Sequence, residues 1–87
     1  MGRPALLNDQ VAFYAEVGRR VRLARERAGL TQDALAGRVS LSRTSVTNIE
    51  KGRQKVLLHT LCNLADALGV TPDVLMPEPE PEVRTRS

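Results

Sequence analysis

The stretch from Thr31 to Gly52, TQDALAGRVSLSRTSVTNIEKG, has the pattern of two short helices, over residues 32–38 and 43–51, joined by a tight turn. Thr31 and Ser42 each precede one helix, where a side-chain hydroxyl accepts from backbone N–H groups that lack a partner in the first turn. The inward-facing apolar residues recur at helical spacing and are Leu35, Ala36, Val39, Val46 and Ile49. Gly52 follows the last of them and can end the second helix in a left-handed conformation. This arrangement predicts a helix-turn-helix.

Three further helices are predicted around this motif. Residues 9–28 carry one apolar stripe at steps of three and four, typical of an amphipathic helix, formed by Phe13, Val17, Val21, Ala24 and Ala28. Residues 58–68 carry a second stripe, formed by Leu58, Leu61, Cys62, Ala65 and Leu68. The run TPDVLM begins with a capping residue, a first helical proline and an acid, and predicts a short fifth helix over residues 72–76. The fold class expected is therefore all-α, a compact five-helix domain.

Length and composition fit one small domain. A chain of 87 residues buries about 60–65% of its unfolded surface, so its stability alone is marginal and a second subunit is favoured. Phe13 and Tyr14 are the only aromatic residues, so the core must be aliphatic. We expect residues 9–76 to form the domain, after a flexible N-terminal arm (residues 1–8) and before a disordered tail. The tail, residues 77–87, alternates proline and glutamate and cannot bury apolar area.

Basic and acidic residues are unevenly distributed along the chain. Residues 1–55 hold 11 lysines and arginines against 5 acids, whereas residues 56–87 hold 2 against 5. A basic body with an acidic end indicates a polyanionic partner. A solvated charged surface would give the same counts, so charge alone leaves both interpretations open.

Several other classes of protein find little support. Cys62 is the single cysteine, which excludes an internal disulfide, and with His59 it forms an incomplete set of metal ligands. No Ser/His/Asp arrangement, paired carboxylates or phosphate-binding loop is present, so we expect no enzyme activity, no metal and no cofactor. No apolar run approaches 18 residues, and residues 1–10 lack the apolar core of a signal peptide. We therefore expect a cytoplasmic protein without a membrane partner.

The second helix of the motif carries polar side chains on its outward face. Arg43 can pair bidentately with guanine, the methyl group of Thr44 can contact that of thymine, and Asn48 can hydrogen-bond adenine. Thr47 can reach the same groove of the nucleic acid, or the wall of that groove. All four residue types are also common on solvated helices, so residue type alone does not decide between base contact and plain solvent exposure.

The chain resembles the lambda-repressor-like and Cro-like helix-turn-helix family, also called the xenobiotic-response-element type. The resemblance covers residues 18–75, and its motifs are the leucine-threonine-glutamine start of helix 2, the Leu35-Ala36 pair, Ile49-Glu50-x-Gly52 and Leu64-Ala65-x-Ala67-Leu68-Gly69. The sequence departs from the family at the turn, where Ser40 stands in place of a frequent glycine. It also departs before helix 4, where Val56-Leu57 replaces a frequent proline and serine.

The resemblance implies a site for double-stranded DNA, with helix 3 in the major groove. The residues implied as base contacts are Arg43, Thr44, Thr47 and Asn48. The residues implied as phosphate contacts lie at the N-terminal ends of helices 2 and 3 and after helix 3, and are Gln32, Ser42, Ser45, Arg53 and Lys55. A packing role for Ser45 and a solvated linker at Arg53 and Lys55 are the alternatives. Arg25 and Glu50 match a structural salt bridge between helices 1 and 3.

The resemblance further implies a bacterial or phage-encoded transcriptional regulator, associated with the nucleoid through DNA. Such proteins pair as homodimers on palindromic or pseudo-palindromic operators with half-sites about 34 Å apart. Dimer contacts are expected at residues 70–76 with the adjoining end of helix 4, or at Leu6, Leu7, Phe13 and Tyr14. Restriction-modification controllers, phage repressors and antitoxins all remain open, as does a protein-interaction module whose main partner is another protein. The basic first half of the chain favours DNA.

Overall fold

The computed structural model describes residues 6–78, with side chains from residue 9 onwards. Its α-helices are α1 (Leu6–Arg27), α2 (Gln32–Val39), α3 (Arg43–Glu50) and α4 (Leu58–Leu68), followed by a 3-10 helix, Pro72–Leu75. No strand occurs within residues 6–78. The predicted all-α class is confirmed.

Two elements differ from the sequence-based predictions. Helix α1 begins at Leu6, so residues 6–8 of the expected arm are helical; leucine is a good helix former, and the helix breakers lie before it. The fifth element is a 3-10 helix rather than an α-helix. Thr71 makes no side-chain cap hydrogen bond, and the segment closes instead on the Val74 N–H to Thr71 O bond of 3.0 Å, the i to i+3 spacing of short helices. Residues 1–5 and 79–87, the rest of the expected arm and most of the tail, lie outside the described residues.

The core lies among the four α-helices and the 3-10 helix: α1 packs against α3, α2 packs against both α3 and α4, and the 3-10 helix packs against α4. Its buried residues are all aliphatic: Val17, Val21, Ala24, Leu35, Ala36, Val46, Ile49, Leu61, Leu64, Ala65, Leu68 and Leu75. Burial of this set is the main favourable contribution to folding. No helix within residues 6–78 is long and apolar enough to span a membrane.

The predicted inward face of α4 was wrong at two positions. Leu58 is 74% exposed and Cys62 is an exposed free thiol. The face that packs inward is formed by Leu61, Leu64, Ala65 and Leu68, at the i, i+3, i+4, i+7 spacing of a helical stripe. Leu58 and Cys62 fit a parallel stripe on the sequence, but their side chains remain exposed. The ends of the predicted α1 stripe, Phe13 and Ala28, are likewise exposed.

Glycine allows α1 and α3 to cross at close range. A Cβ atom on Gly18 would lie 2.3 Å from the carbonyl oxygen of Ile49, which is closer than real Cβ contacts allow. A Cβ atom on Gly52 would lie 2.7 Å from the Cα atom of Ala15. The C-terminal end of α3 therefore rests directly on the backbone of α1, which fixes its direction relative to the rest of the domain.

Candidate nucleic-acid interface

Helices α2 and α3 are joined by a tight turn in which Ser40 is left-handed, with φ 58° and ψ 40°. It is the one non-glycine residue with positive φ within residues 6–78. The Leu41 N–H then donates to Ala36 O at 3.0 Å, so the turn retains the hydrogen bonding of a left-handed helix end. A left-handed non-glycine residue costs about 1–2 kcal/mol. The left-handed conformation of Ser40 turns the chain between the end of α2 and the start of α3.

Both helices of the motif begin with the side-chain caps that the sequence predicted. The Ala34 N–H donates to the Thr31 hydroxyl at 3.0 Å, and the Ser45 N–H donates to the Ser42 hydroxyl at 3.0 Å. The Ser42 hydroxyl in turn donates to the Ser45 hydroxyl at 3.1 Å. The N-terminal turn of α3 therefore presents two linked serine side chains beside its free backbone N–H groups.

Four polar residues of α3 share the face opposite the core. Its buried residues are Val46, Ile49 and Glu50. The predicted base-contacting residues lie on the other side: Arg43 and Thr44 are exposed, and Thr47 and Asn48 are half-buried. Lys51, which the sequence analysis did not assign, is exposed just after them. Its spacing of four from Thr47 puts it on the same face, and that spacing is the signal that could have identified it.

A hydrogen-bond network of four residues joins α3 to α1 and α2; its members are Arg25, Gln32, Thr47 and Glu50. Arg25 donates from Nε to Glu50 Oε2 at 2.6 Å and from Nη2 to Glu50 Oε1 at 3.1 Å. Gln32 Nε2 donates to the same Oε1 at 2.9 Å, and the Thr47 hydroxyl donates to Gln32 Oε1 at 2.9 Å. The hydrogen bond to Glu50 raises the pKa of Arg25 above its ordinary value. The network therefore links α1, the start of α2 and the middle of α3.

The remaining predicted contacts lie at the two ends of α3. Arg43 Nε is 4.0 Å from Asp33 Oδ1, and both side chains are mostly exposed, so this ion pair is weak. Arg53 and Lys55 are exposed in the segment after Gly52, and the Arg53 N–H donates to Asn48 O at 2.9 Å. The predicted phosphate contacts thus flank the exposed face of α3, except that the side chain of Gln32 is turned into the network. Within the described part of the chain, no three potential metal ligands come together.

Comparison with known families identifies this arrangement. A profile described as a helix-turn-helix domain matches residues 16–78, more than half of the chain. The protein therefore belongs to the helix-turn-helix family, and the resemblance inferred from the sequence is confirmed.

Three known proteins are similar to this chain along most of their own length. A hypothetical transcription factor of Neisseria meningitidis is 32% identical over 81 residues, 93% of this chain and 76% of that protein. Control protein C.MunI of a Mycoplasma species is 33% identical over 61 residues, 70% of this chain and 82% of that protein. Among solved structures, the restriction-modification controller protein C.AhdI from Aeromonas hydrophila superposes with a TM-score of 0.70 at 35% identity, covering 72% of this chain and 96% of that one.

Proposed function

We propose that this protein is a transcription regulator that binds a specific site in double-stranded DNA as a homodimer, with α3 in the major groove. One observation carries the proposal. The single acid of α3, Glu50, has a side chain only 3% exposed and paired with Arg25. A carboxylate on the outward face would repel phosphate groups, whereas its burial leaves that face with cationic and hydrogen-bonding side chains alone.

Base readout belongs to the first two turns of α3. The Arg43 side chain is 66% exposed at the N-terminal end, where recognition helices meet base edges, and its guanidinium suits guanine O6 and N7. Thr44 and Asn48 are spaced by four and share a face, which suits a thymine methyl group and adenine respectively. Thr47 is adjacent to Asn48 and belongs to the hydrogen-bond network through its bond to Gln32.

Phosphate contacts fix the position of the helix without reading sequence. The free N–H groups at the starts of α2 and α3 favour a phosphate, with the Ser42 and Ser45 hydroxyls beside them. At Gln32 the backbone N–H is the proposed donor, because the side-chain oxygen and one amide proton are already used. Arg53, Lys55 and Lys51 supply positive charge along the backbone after α3.

An apolar groove supports the homodimer. It is lined by Phe13, Tyr14, Val17, Val56, Leu58, Leu61 and Met76. Of its lining residues, Leu58 is 74% and Met76 38% exposed, and the neighbouring Leu57 and Val74 are 68% and 40% exposed. These side chains come from both regions that the sequence analysis named for dimer contacts, together with the start of α4. A second copy of the chain would cover them and add the burial that so small a domain lacks.

The similarity to two controller proteins favours a controller of restriction-modification genes over an antitoxin. We expect such a regulator to work in the bacterial cytoplasm, on the nucleoid, and to perform no catalysis. The genes that flank its own would support or oppose this subclass directly.

Selection of bound sequences from random DNA tests the function. We expect a palindromic or pseudo-palindromic site with half-sites about one helical turn apart. A bound fraction with no shared sequence would contradict the proposal and favour a module that binds another protein.

Sedimentation at micromolar concentration tests the dimer. We expect a dimer for the unchanged chain and a monomer for Leu58→Glu. His59→Glu is the matched control, because it adds the same charge at an exposed neighbour that does not line the groove. A monomer both free and on DNA would contradict the homodimer.

A further inference from the structure

The four-residue network has only one consistent direction of hydrogen bonding. Arg25 has no acceptor group and remains charged, so Glu50 must accept from it. A carboxylate that accepts from a guanidinium cannot donate, so the group of Gln32 that faces Glu50 must be its NH2 group. The carbonyl oxygen of Gln32 is therefore the atom that faces Thr47, and the orientation of this amide follows from chemistry rather than from a choice between two similar flips.

This direction determines how Thr47 can interact with anything else. Threonine has a single hydroxyl proton, and here it is donated to Gln32 Oε1 at 2.9 Å. The hydroxyl cannot then donate to a carbonyl of its own helix, the usual partner of a threonine within a helix. Nor can it donate to a base. What Thr47 can offer a ligand is its methyl group and the lone pairs of an oxygen that already faces the protein.

The position of Thr47 makes this restriction relevant to DNA. Thr47 is half-buried and sits between the buried Glu50, three residues later, and the exposed Arg43, four residues earlier. Its hydroxyl faces the protein side, because Gln32 lies at the start of α2 and is itself bonded to Glu50. The methyl group occupies a different position on the Cβ atom, and threonine changes rotamer only if the bond to Gln32 breaks.

We propose that Gln32 is a positioning residue that holds Thr47 so that its methyl group recognises the 5-methyl group of a pyrimidine in the major groove. This inference rests on the proposed function. It gives Gln32 a role in specificity in addition to any phosphate contact by its backbone, and it assigns to Thr47 an apolar contact rather than a hydrogen bond.

The test replaces thymine by deoxyuridine, one position at a time, in the DNA site selected by the protein. Deoxyuridine lacks only the 5-methyl group, so the ratio of the two affinities isolates the methyl contact. We expect one position of the half-site at which the unchanged protein binds thymine about fourfold more tightly and at which Thr47→Ser, which lacks the methyl group, shows a ratio near one. Thr60→Ser is the matched control, because it makes the same change on α4, outside the proposed interface, and should leave the ratio at that position unchanged.

The role of Gln32 is tested at the same position. Gln32→Met keeps the length of the side chain but cannot accept from Thr47, so the ratio should fall towards one. Adding Thr47→Val to Gln32→Met should restore the ratio, because valine carries a methyl group at both γ positions and needs no partner to hold one in place. The ratio is internal to each variant, so a general loss of stability or of phosphate binding does not change it.

Two outcomes would overturn the inference. One is a site in which no thymine-to-deoxyuridine ratio responds to Thr47→Ser. The other is a ratio that Gln32→Met leaves at its full value. A selection that yields no shared sequence would instead contradict the proposed function, so the two failures are distinguishable.

Discussion

Arg25 on α1 and Glu50 on α3 are joined by two hydrogen bonds, with Nε 2.6 Å from Oε2 and Nη2 3.1 Å from Oε1. Their side chains are only 12% and 3% exposed. The third nitrogen of the guanidinium, Nη1, donates to Leu30 O at 2.9 Å. This bond ties the loop before α2 to Arg25. One arginine therefore links α1 both to α3 and to the chain that leads into the helix-turn-helix.

Arg25→Ala should lower the free energy of unfolding by about 3 kcal/mol, because it leaves the carboxylate of Glu50 buried without its cation. Denaturant titration measures the change. Arg22→Ala on the same helix is the control. Its pair with Glu26, at 3.3 Å, is about half exposed, so the loss there should be about 0.5 kcal/mol or less. Equal losses for the two variants would show that the buried Arg25–Glu50 pair stabilises the domain no more than an exposed pair does.

Two glycines in helices should respond to alanine in opposite directions. Gly18→Ala should destabilise the domain by about 2 kcal/mol, because the new Cβ atom meets the backbone of α3 and the helices must move apart. Gly37→Ala has open space around it and should raise stability by roughly 0.5–1 kcal/mol through helix propensity. Thermal unfolding measures the stability of both variants relative to the unchanged protein. A stabilised Gly18→Ala would contradict the close crossing of α1 and α3.

Ser40→Gly should stabilise the domain by roughly 0.5–1 kcal/mol, because glycine adopts the left-handed conformation of the turn without the cost that serine bears. Ser40→Val should destabilise it, since a β-branched residue is disfavoured at positive φ. Chemical denaturation of both variants provides the measurement. A destabilised Ser40→Gly would mean that the serine side chain contributes more than its backbone costs.

Arg43→Ala should weaken binding to the selected site by roughly 1–3 kcal/mol and relax the preference at one base pair. The measurement is the affinity for the selected site and for its single-base variants. An equal loss on random DNA would exclude a role in base readout.

Arg53→Ala is the matched change for a phosphate contact. It should weaken binding to all sequences alike and lower the slope of log affinity against log salt by about one. Titrations at several salt concentrations measure this slope. If the slope stays unchanged, Arg53 does not contact the DNA backbone.

Glu16 should make stability sensitive to acid. It accepts hydrogen bonds from Arg19 and Arg20, and the bond from Arg19 is the larger cause that lowers the pKa of Glu16 from 4.5 to about 2. Because the folded pKa lies below the unfolded one, the contribution is present above about pH 4.5 and is lost as the pH falls towards 2.

The comparison that checks this is the unfolding free energy of the unchanged protein and of Glu16→Gln between pH 2 and pH 5. The two curves should converge as the pH falls, since glutamine cannot titrate. Glu16 also holds Arg20, whose Nη1 donates to Met76 O at 2.9 Å, so the 3-10 helix should loosen over the same range. Parallel curves would contradict this role for Glu16.

Local pattern was enough to predict the helix-turn-helix. Each helix start depends on a hydroxyl that caps an N–H group three residues later. The inward faces of α2 and α3 depend on spacings within a single helix. Neighbours in the sequence therefore determine both features. The same reasoning predicted the outward position of Arg43 and Asn48, whereas the family was inferred from the resemblance of its motifs. The resemblance to that family, rather than local pattern, identified Ser40 as the residue of the turn that departs from glycine.

Only the tertiary structure decided which stripe of α4 packs inward and where the side chain of Gln32 points. Leu58 and Cys62 satisfy helical periodicity as well as their buried neighbours do, and their exposure follows from where α2 and the 3-10 helix pack on α4. The bonds of Gln32 join residues 15 and 18 positions away, and no spacing within α2 predicts them. Periodicity determines the faces of each helix, whereas contacts between helices determine which face is covered and which polar group finds a partner.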